Sequence, residues 1–255
     1  MANVQDIVPP LTLEELVTLA RQDLDDLPGD TVTDVNWKND DTGLLWKNAE
    51  LVRYANHAQL EFCMRQPILD QDTTAAITQI AVSASTGVYA YSPKILSIRR
   101  LKFVDSNDDE WPLLKRTTQW MDRNRPDWDL ETSPEEGQVE IYVEDTDNRT
   151  LSLVRVPELA GTLHMTVDRM PANDLLWRRR HTDTLEIDRH HHLDLLDFMK
   201  HLAYLKRDAE TEDKQLASEH LEMFNAKVGE RPSARLIRVR RQERNYKRRA
   251  VGQYF

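Results

Sequence analysis

The sequence predicts an α+β protein: a helical bundle built from the N- and C-terminal helices, a small antiparallel β-domain inserted between them, and an extended basic C-terminal arm. Three observations carry this. Apolar residues recur at helical spacing in two N-terminal stretches and in one long C-terminal stretch. β-Branched, period-two runs fall in the middle of the chain. Lysine and arginine crowd the last 25 of the 255 residues. The expected boundaries are 1–70 with 185–230 for the bundle, 71–184 for the insert and 231–255 for the arm.

Taken in order, the first helix opens with Thr12-Leu13-Glu14-Glu15, a capping box in which hydroxyl and carboxylate each satisfy a free amide of the first turn. Leu13, Leu16, Val17, Ala20 and Leu24 follow on one face, and Pro28-Gly29 ends it. A second helix is expected over 44–65, with Asp41 or Thr42 as cap. Leu51, Ala55, Ala58 and Phe62 form its stripe and Pro67 its stop. About five strands are expected in the middle, over 76–82, 95–104, 139–143, 151–156 and 162–167. Asp145 to Asn148 reads as a hairpin turn, and a short helix over 116–124 interrupts the sheet.

A last helix is expected over 190–227, with Asp188 as cap. Its stripe of Leu195, Met199 and Leu202 resumes at Ala217, Leu221, Phe224 and Val228. Between these halves lies the charged run Lys206 to Lys214, where the helix either crosses solvent or breaks in two. Gly229 caps it, and Pro232 follows.

Composition excludes several classes. The single cysteine, Cys63, rules out an intramolecular disulfide framework and a Cys-rich zinc site; beside Phe62 it reads as a small core residue. The seven glycines are never closer than Gly29 and Gly43, so a Walker loop, a GxGxxG turn and a GxSxG elbow are all absent. The N-terminus lacks the pattern of a usual secretory signal, and no apolar run is long enough to span a bilayer. His190-His191-His192 cannot converge on one ion, because consecutive helical residues point about 100° apart; the reading is a solvated helix start, with no metal and no cofactor. Carboxylate pairs carry little information among 44 acids. No catalytic residue is singled out, and the expectation is a non-enzyme.

Two groups admit two readings each. Among six tryptophans, Trp37 and Trp128 lie in expected loops, as does Trp111. Trp37 and Trp128 either anchor loops to the core or form subunit contacts. The cluster Arg178-Arg179-Arg180 is either a solvated loop or a patch that meets an acidic face of a neighbouring subunit.

The net charge of -10 averages two opposed parts. Residues 231–255 hold Arg231, Arg235, Arg238, Arg240, Arg241, Arg244, Lys247, Arg248 and Arg249 against Glu243 alone, a net of +8 that leaves the other 230 residues at -18. Tyr246 lies within this arm, and Gln253-Tyr254-Phe255 closes it with two aromatics suited to filling a pocket. Such an arm can neutralise phosphates, dock on an acidic protein surface, or serve as a solubilising tail.

Three stretches resemble the phage head–tail adaptor family, the portal-binding connector proteins of tailed bacteriophages. The first runs from Trp46 through Glu50, Tyr54, Asn56 and Ala58 to Gln59. The second, Gly161-Thr162-Leu163 to Arg169-Met170-Pro171, looks like the family's G-T-L…R-x-P strand. The third takes in His191 to Leu196, Tyr204 to Thr211 with its D-x-E-T turn, and Ala217 to Gly229. The resemblance implies a homo-oligomeric ring, expected to be dodecameric, in the virion at the head–tail junction. It implies a portal protein as partner for the arm, a tail nozzle or tail-tube protein on the other side, and genomic DNA passing through without sequence-specific binding. Assembly is expected in the host cytoplasm, with no membrane contact. No catalytic residue carries over, since the shared positions are structural. A nucleic-acid-binding module using the arm and a cell-wall glycan hydrolase are the alternatives.

Overall fold

The computed structural model describes residues 9–27, 35–128, 138–145, 148–233 and 235. It is a mixed α/β structure. In chain order its elements are α1 (Leu13–Asp23), α2 (Asn48–Arg65), β1 (Ile68–Gln71), α3 (Ala75–Thr78), β2 (Gln79–Val82), β3 (Val88–Ala90), β4 (Ile95–Asp105) and β5 (Glu110–Arg116). There follow α4 (Thr118–Asn124), β6 (Ile141–Asp145), β7 (Thr150–Val154), β8 (Gly161–Arg169), α5 (Asp194–Tyr204) and α6 (Lys214–Val228). The chain divides into two compact units, Met1–Ile68 with Pro171–Arg231, and Leu69–Met170 with Pro232–Phe255.

In the helical unit, α1 packs on α2 and α5, α2 packs on α5, and α5 packs on α6. Leu13, Leu16, Val17 and Ala20 of α1 share one core with Leu51, Ala55, Ala58, Phe62 and Cys63 of α2. Leu195 and Met199 of α5 and Phe224 and Val228 of α6 complete it. The capping box at Thr12 forms, with Glu15 accepting from the Thr12 amide at 2.8 Å. Residues 171–184 lie in this unit too: Leu175 joins the core, and the Leu13 amide donates to the Asp183 carbonyl at 2.8 Å.

The unit is held by a buried polar knot. Arg21, with no exposed surface, pairs with Asp26 and donates to the Trp46 carbonyl and to Asn48 Oδ1, both at 2.8 Å. Asp26 accepts from the amides of Leu45 at 2.8 Å and Trp46 at 3.3 Å. Asn48 Nδ2 donates to the Trp37 carbonyl at 3.0 Å, and the Trp37 ring lies 5.1 Å from the guanidinium. Burial pulls the Arg21 pKa down from its ordinary value, although neighbouring Asp26 and Asp41 oppose this.

Several sequence expectations need correction here. The second helix starts at Asn48, not at residue 44, and Asp41 Oδ2 reaches its first amide from outside at 2.7 Å. Of the two readings of the C-terminal stretch, the second holds: it breaks into two helices, α5 and α6. Asp213 caps α6 by accepting from Gln215 and Leu216 at 2.9 and 3.0 Å, and its own amide donates to the Tyr204 carbonyl at 3.0 Å. The intervening charges turn there because caps satisfy the broken backbone. Asp188 makes no side-chain cap; it precedes a 3-10 turn at Arg189–His191. His192 is buried rather than solvated.

The second unit holds an eight-stranded sheet in the order β1-β8-β4-β5-β6-β7-β3, with β2 also paired to β8. This replaces the five-strand expectation, and the sheet is not wholly antiparallel, because β5 and β6 run parallel. Residues 76–82 were expected as one strand; their first half is the turn of α3. Trp111 lies in β5 rather than in a loop. The expected hairpin forms between β6 and β7, where Asn148 Nδ2 donates to Asp145 Oδ2 at 2.8 Å. Leu101 pairs with Leu113 and Met165, and Phe103 with Trp111 and Leu163. Apolar side chains therefore share one face across three strands. Gly161 is required by close approach: a Cβ there would collide with the Val104 carbonyl and come within 2.7 Å of the Phe103 ring.

Two substitutions test these contacts. Arg21→Leu strands Asp26 as a buried, unpaired charge, so urea denaturation should show a loss of about 3–5 kcal/mol; a loss below ~1 kcal/mol contradicts the knot. Gly161→Ala should cost about 1–3 kcal/mol through overpacking, read as a lowered urea midpoint; an unchanged midpoint contradicts the required close approach.

Candidate functional site

The root of the basic arm is the best-defined feature among the expected site residues. α6 ends at Val228, and Gly229 takes φ 91°, a left-handed conformation that suits glycine. The last carbonyls of a helix lack partners within it. Here α2 supplies them. Arg65 Nη1 donates to the Gly229 carbonyl at 2.6 Å and to Asn225 Oδ1 at 2.8 Å, and Gln66 Nε2 donates to the Val228 carbonyl at 3.1 Å. The Arg65 guanidinium also lies 4.6 Å from the Phe224 ring and pairs with Glu61 at 3.2 Å. Glu61 takes the first arm residue as well, accepting from Arg231 at 3.3 Å. Sequence reasoning missed Arg65. The available signal was a cation in the last turn of a helix, just before Pro67.

Beyond this root, Arg231 and Arg235 are exposed. Arg238, Arg240, Arg241, Arg244, Tyr246, Lys247, Arg248, Arg249, Tyr254 and Phe255 lie outside the described residues.

The two tryptophans of interest sit differently. Trp37 is 5% exposed, within the helical core and 6.2 Å from the Trp177 ring. Trp128, in the other unit, is half-buried against the cluster of Met121, Ile141, Val143 and Val154, and its Nε1 donates to Asp122 at 3.0 Å.

The arginine cluster is partly engaged. Arg180 lies 5.1 Å from the Trp177 ring and 3.3 Å from Glu14, Arg179 pairs with Asp183 at 2.9 Å, and exposed Arg178 has no ion pair among the described residues. Glu14 also takes Lys38, and His181 at 2.6 Å. Burial pushes the Glu14 carboxyl up, but these cations more than offset it and hold it below the ordinary value.

The residues that carried the family resemblance turn out to be internal locks. Trp46 Nε1 donates to the Ala203 carbonyl at 3.1 Å, tying α2 to α5. Asn56 brackets the Leu175 backbone, donating to its carbonyl at 3.0 Å and accepting from its amide at 2.8 Å. Glu50 takes Lys206 at 3.0 Å, and Thr211 is buried in the turn between α5 and α6. In the sheet, Arg169 Nε donates to Asp70 Oδ2 at 2.7 Å, holding β1 beside β8. Burial opposes the charge on Asp70, but hydrogen bonds from Thr74, Arg169 and Thr73 prevail and hold its carboxyl well below the usual range.

His192 is another lock. Its Nδ1 accepts from the Leu11 amide at 3.1 Å and its Nε2 donates to the Ile187 carbonyl at 2.9 Å, an arrangement that needs the neutral ring. Burial holds its pKa below the ordinary histidine value. No cluster of three His, Cys, Asp or Glu suited to a metal occurs among the described residues, and no helix there is long and apolar enough to cross a membrane.

What these residues define is a scaffold held together by internal polar side chains. The chain belongs to the SU10 adaptor protein family, whose pattern it matches over residues 11–251. The resemblance to phage adaptors is thereby borne out, and the protein has a structural phage adaptor role in the virion. A search of curated proteins found no match.

The His192 lock predicts a pH dependence. The unfolded chain binds a proton near pH ~6.5 and the folded ring does so only at lower pH, so stability falls as pH drops below that value. Burial and Lys200 lower the His220 pKa too, so it acts in the same sense. Urea midpoints should decline from pH 7 to 5.5 and decline less steeply in His192→Gln. An identical slope in the variant contradicts the lock.

Proposed function

We propose that this chain is a head-to-tail adaptor whose copies form a ring beneath the phage portal, at the head–tail junction. In this reading the portal protein receives residues 231–255, with Arg231 through Arg249 supplying charge and Tyr246, Tyr254 and Phe255 the apolar anchors. The other face of the ring, expected to be dodecameric, presents a platform to a tail nozzle or tail-tube protein. The protein assembles in the host cytoplasm and has no catalytic role.

The observation that carries the reading is the arm root. Arg65 and Gln66 bind the end of α6, so a stretch of net charge +8 leaves a body of charge -18 at a fixed place. Like charge keeps the body from adhering to phosphates, which suits passage of genomic DNA. The opposite charge on the arm speeds encounter with an acidic partner, and the aromatics add contact area. Trp128, half-buried at its surface, and Arg178, Arg179 and Arg180 are the remaining subunit-contact residues in this reading, whereas Trp37 serves as a core anchor.

Removing residues 231–255 should leave the urea midpoint of the remainder near that of the full chain. It should weaken attachment to purified portal by at least ~30-fold, about the contribution of one buried anchor. Sedimentation of mixed components checks this, and normal attachment by the truncated protein contradicts the docking role. The basic composition also fits a nucleic-acid arm. Steeply salt-dependent DNA affinity that disappears on truncation, with portal attachment intact, would favour that reading instead.

A further inference from the structure

We infer that neighbouring copies of this chain meet through two different helix faces of the helical unit, the outward face of α2 on one copy and that of α6 on the next. This rests on the ring reading above and names the surfaces that build it. Both helices turn one side to the core and leave the other without a partner among the described residues of the unit. On α2, Arg53, His57, Leu60 and Met64 recur at i, i+4, i+7 and i+11, opposite the buried Leu51, Ala55, Ala58 and Phe62. Leu60 is 43% exposed, His57 is exposed, and Met64 is half-buried. Arg53 is exposed, touches the Tyr54 ring at 5.5 Å, and has no ion pair among the described residues.

On α6 the outward side carries Leu216, Glu219, Glu222 and Met223, opposite the buried Ala217, Phe224 and Val228. Leu216 is 36% and Met223 49% exposed. Among the described residues, Glu219 accepts only from Gln215 at 3.0 Å, within its own helix, and Glu222 has no ion pair. Each face therefore combines exposed apolar side chains with unpaired charge, positive on α2 and negative on α6. Packed on a second copy of itself, either face would set like charges together, which opposes binding. Packed on the other, Leu60 and Met64 meet Leu216 and Met223 while Arg53 meets Glu219 and Glu222. A contact between two different patches is heterologous, and repeated copies of it close into a ring when the rotation permits.

Full-length chain carrying both Leu60→Cys and Met223→Cys, assembled on purified portal and treated with a short bis-maleimide, tests this. Wild type is the background, because Cys63 is fully buried. The double variant should give a ladder of products from dimer upward, and each single variant should stay monomeric on denaturing gels. Adding Glu219→Arg with Glu222→Arg should cut the ladder about tenfold or more, and adding Arg53→Glu should restore it. Dimers from either single variant, or no ladder although portal complexes form, overturn the inference while leaving the adaptor reading intact. Failure of wild type to assemble on portal at all overturns both.

Discussion

A guanidinium sealed from solvent is the constraint around which the helical unit is arranged. Arg21 projects from α1 into the beginning of α2, where Asp26, the Trp46 carbonyl and Asn48 receive it. A buried charge persists only when it is paired, so the chain after α1 must return to deliver Asp26, the Trp46 carbonyl and Asn48 to the two Nη groups. The demand propagates. Asp26 holds the Leu45 and Trp46 amides, which sets the start of α2. Trp46 then reaches the last turn of α5 through the Ala203 carbonyl, and Lys206 reaches the Leu45 carbonyl at 2.6 Å. α5 positions α6 through their shared seam, where buried Asp197 takes Lys227 at 2.7 Å. At the far end of α2, Arg65 binds the close of α6. One polar knot thus leads, contact by contact, to the point where the arm begins.

This arrangement explains where much of the buried polar chemistry of the fold goes. Asn56 on Leu175, Arg169 on Asp70 and His192 between Leu11 and Ile187 satisfy buried partners within the fold. In the proposed role the outward surfaces do the binding, and the acidic body with its basic arm separates two tasks. In that role one part repels nucleic acid and the other seeks a partner. Salt should weaken the arm's encounter with its partner more than it weakens the buried knot, because screening acts mainly on exposed charge.

Much of the fold was legible because it follows from periodicity. The stripes of α1 and α2, the cap at Thr12, and the long alternation of β4 and β8 are local signals, and each of these elements formed. Elements set by tertiary context were not legible. β1 and β3 are four and three residues long, too short to show a period. α3 makes one helical turn within a run of β-formers. The long C-terminal stripe keeps its phase across a gap that backbone capping by Asp213 opens. Of the candidate site, the arm and the arginine cluster could be read from composition alone, while the burial of Trp37 and His192 could not. Arg65 looked like an ordinary helix end, since only the fold brings Asn225 and Gly229 beside it. The family resemblance rested on positions such as Trp46, Asn56 and Arg169, whose shared task is to hold the scaffold.

In the proposed role the helical unit is already set before docking, and the arm makes the attachment. Amide hydrogen exchange on the full-length protein, alone and bound to portal, tests it most directly. The amides of residues 45–50 and 195–203 should keep the same protection in both states, while those of residues 236–255 gain protection on binding. Loss or large gain of protection around Trp46 and Asn48, with no change in the arm, would contradict it.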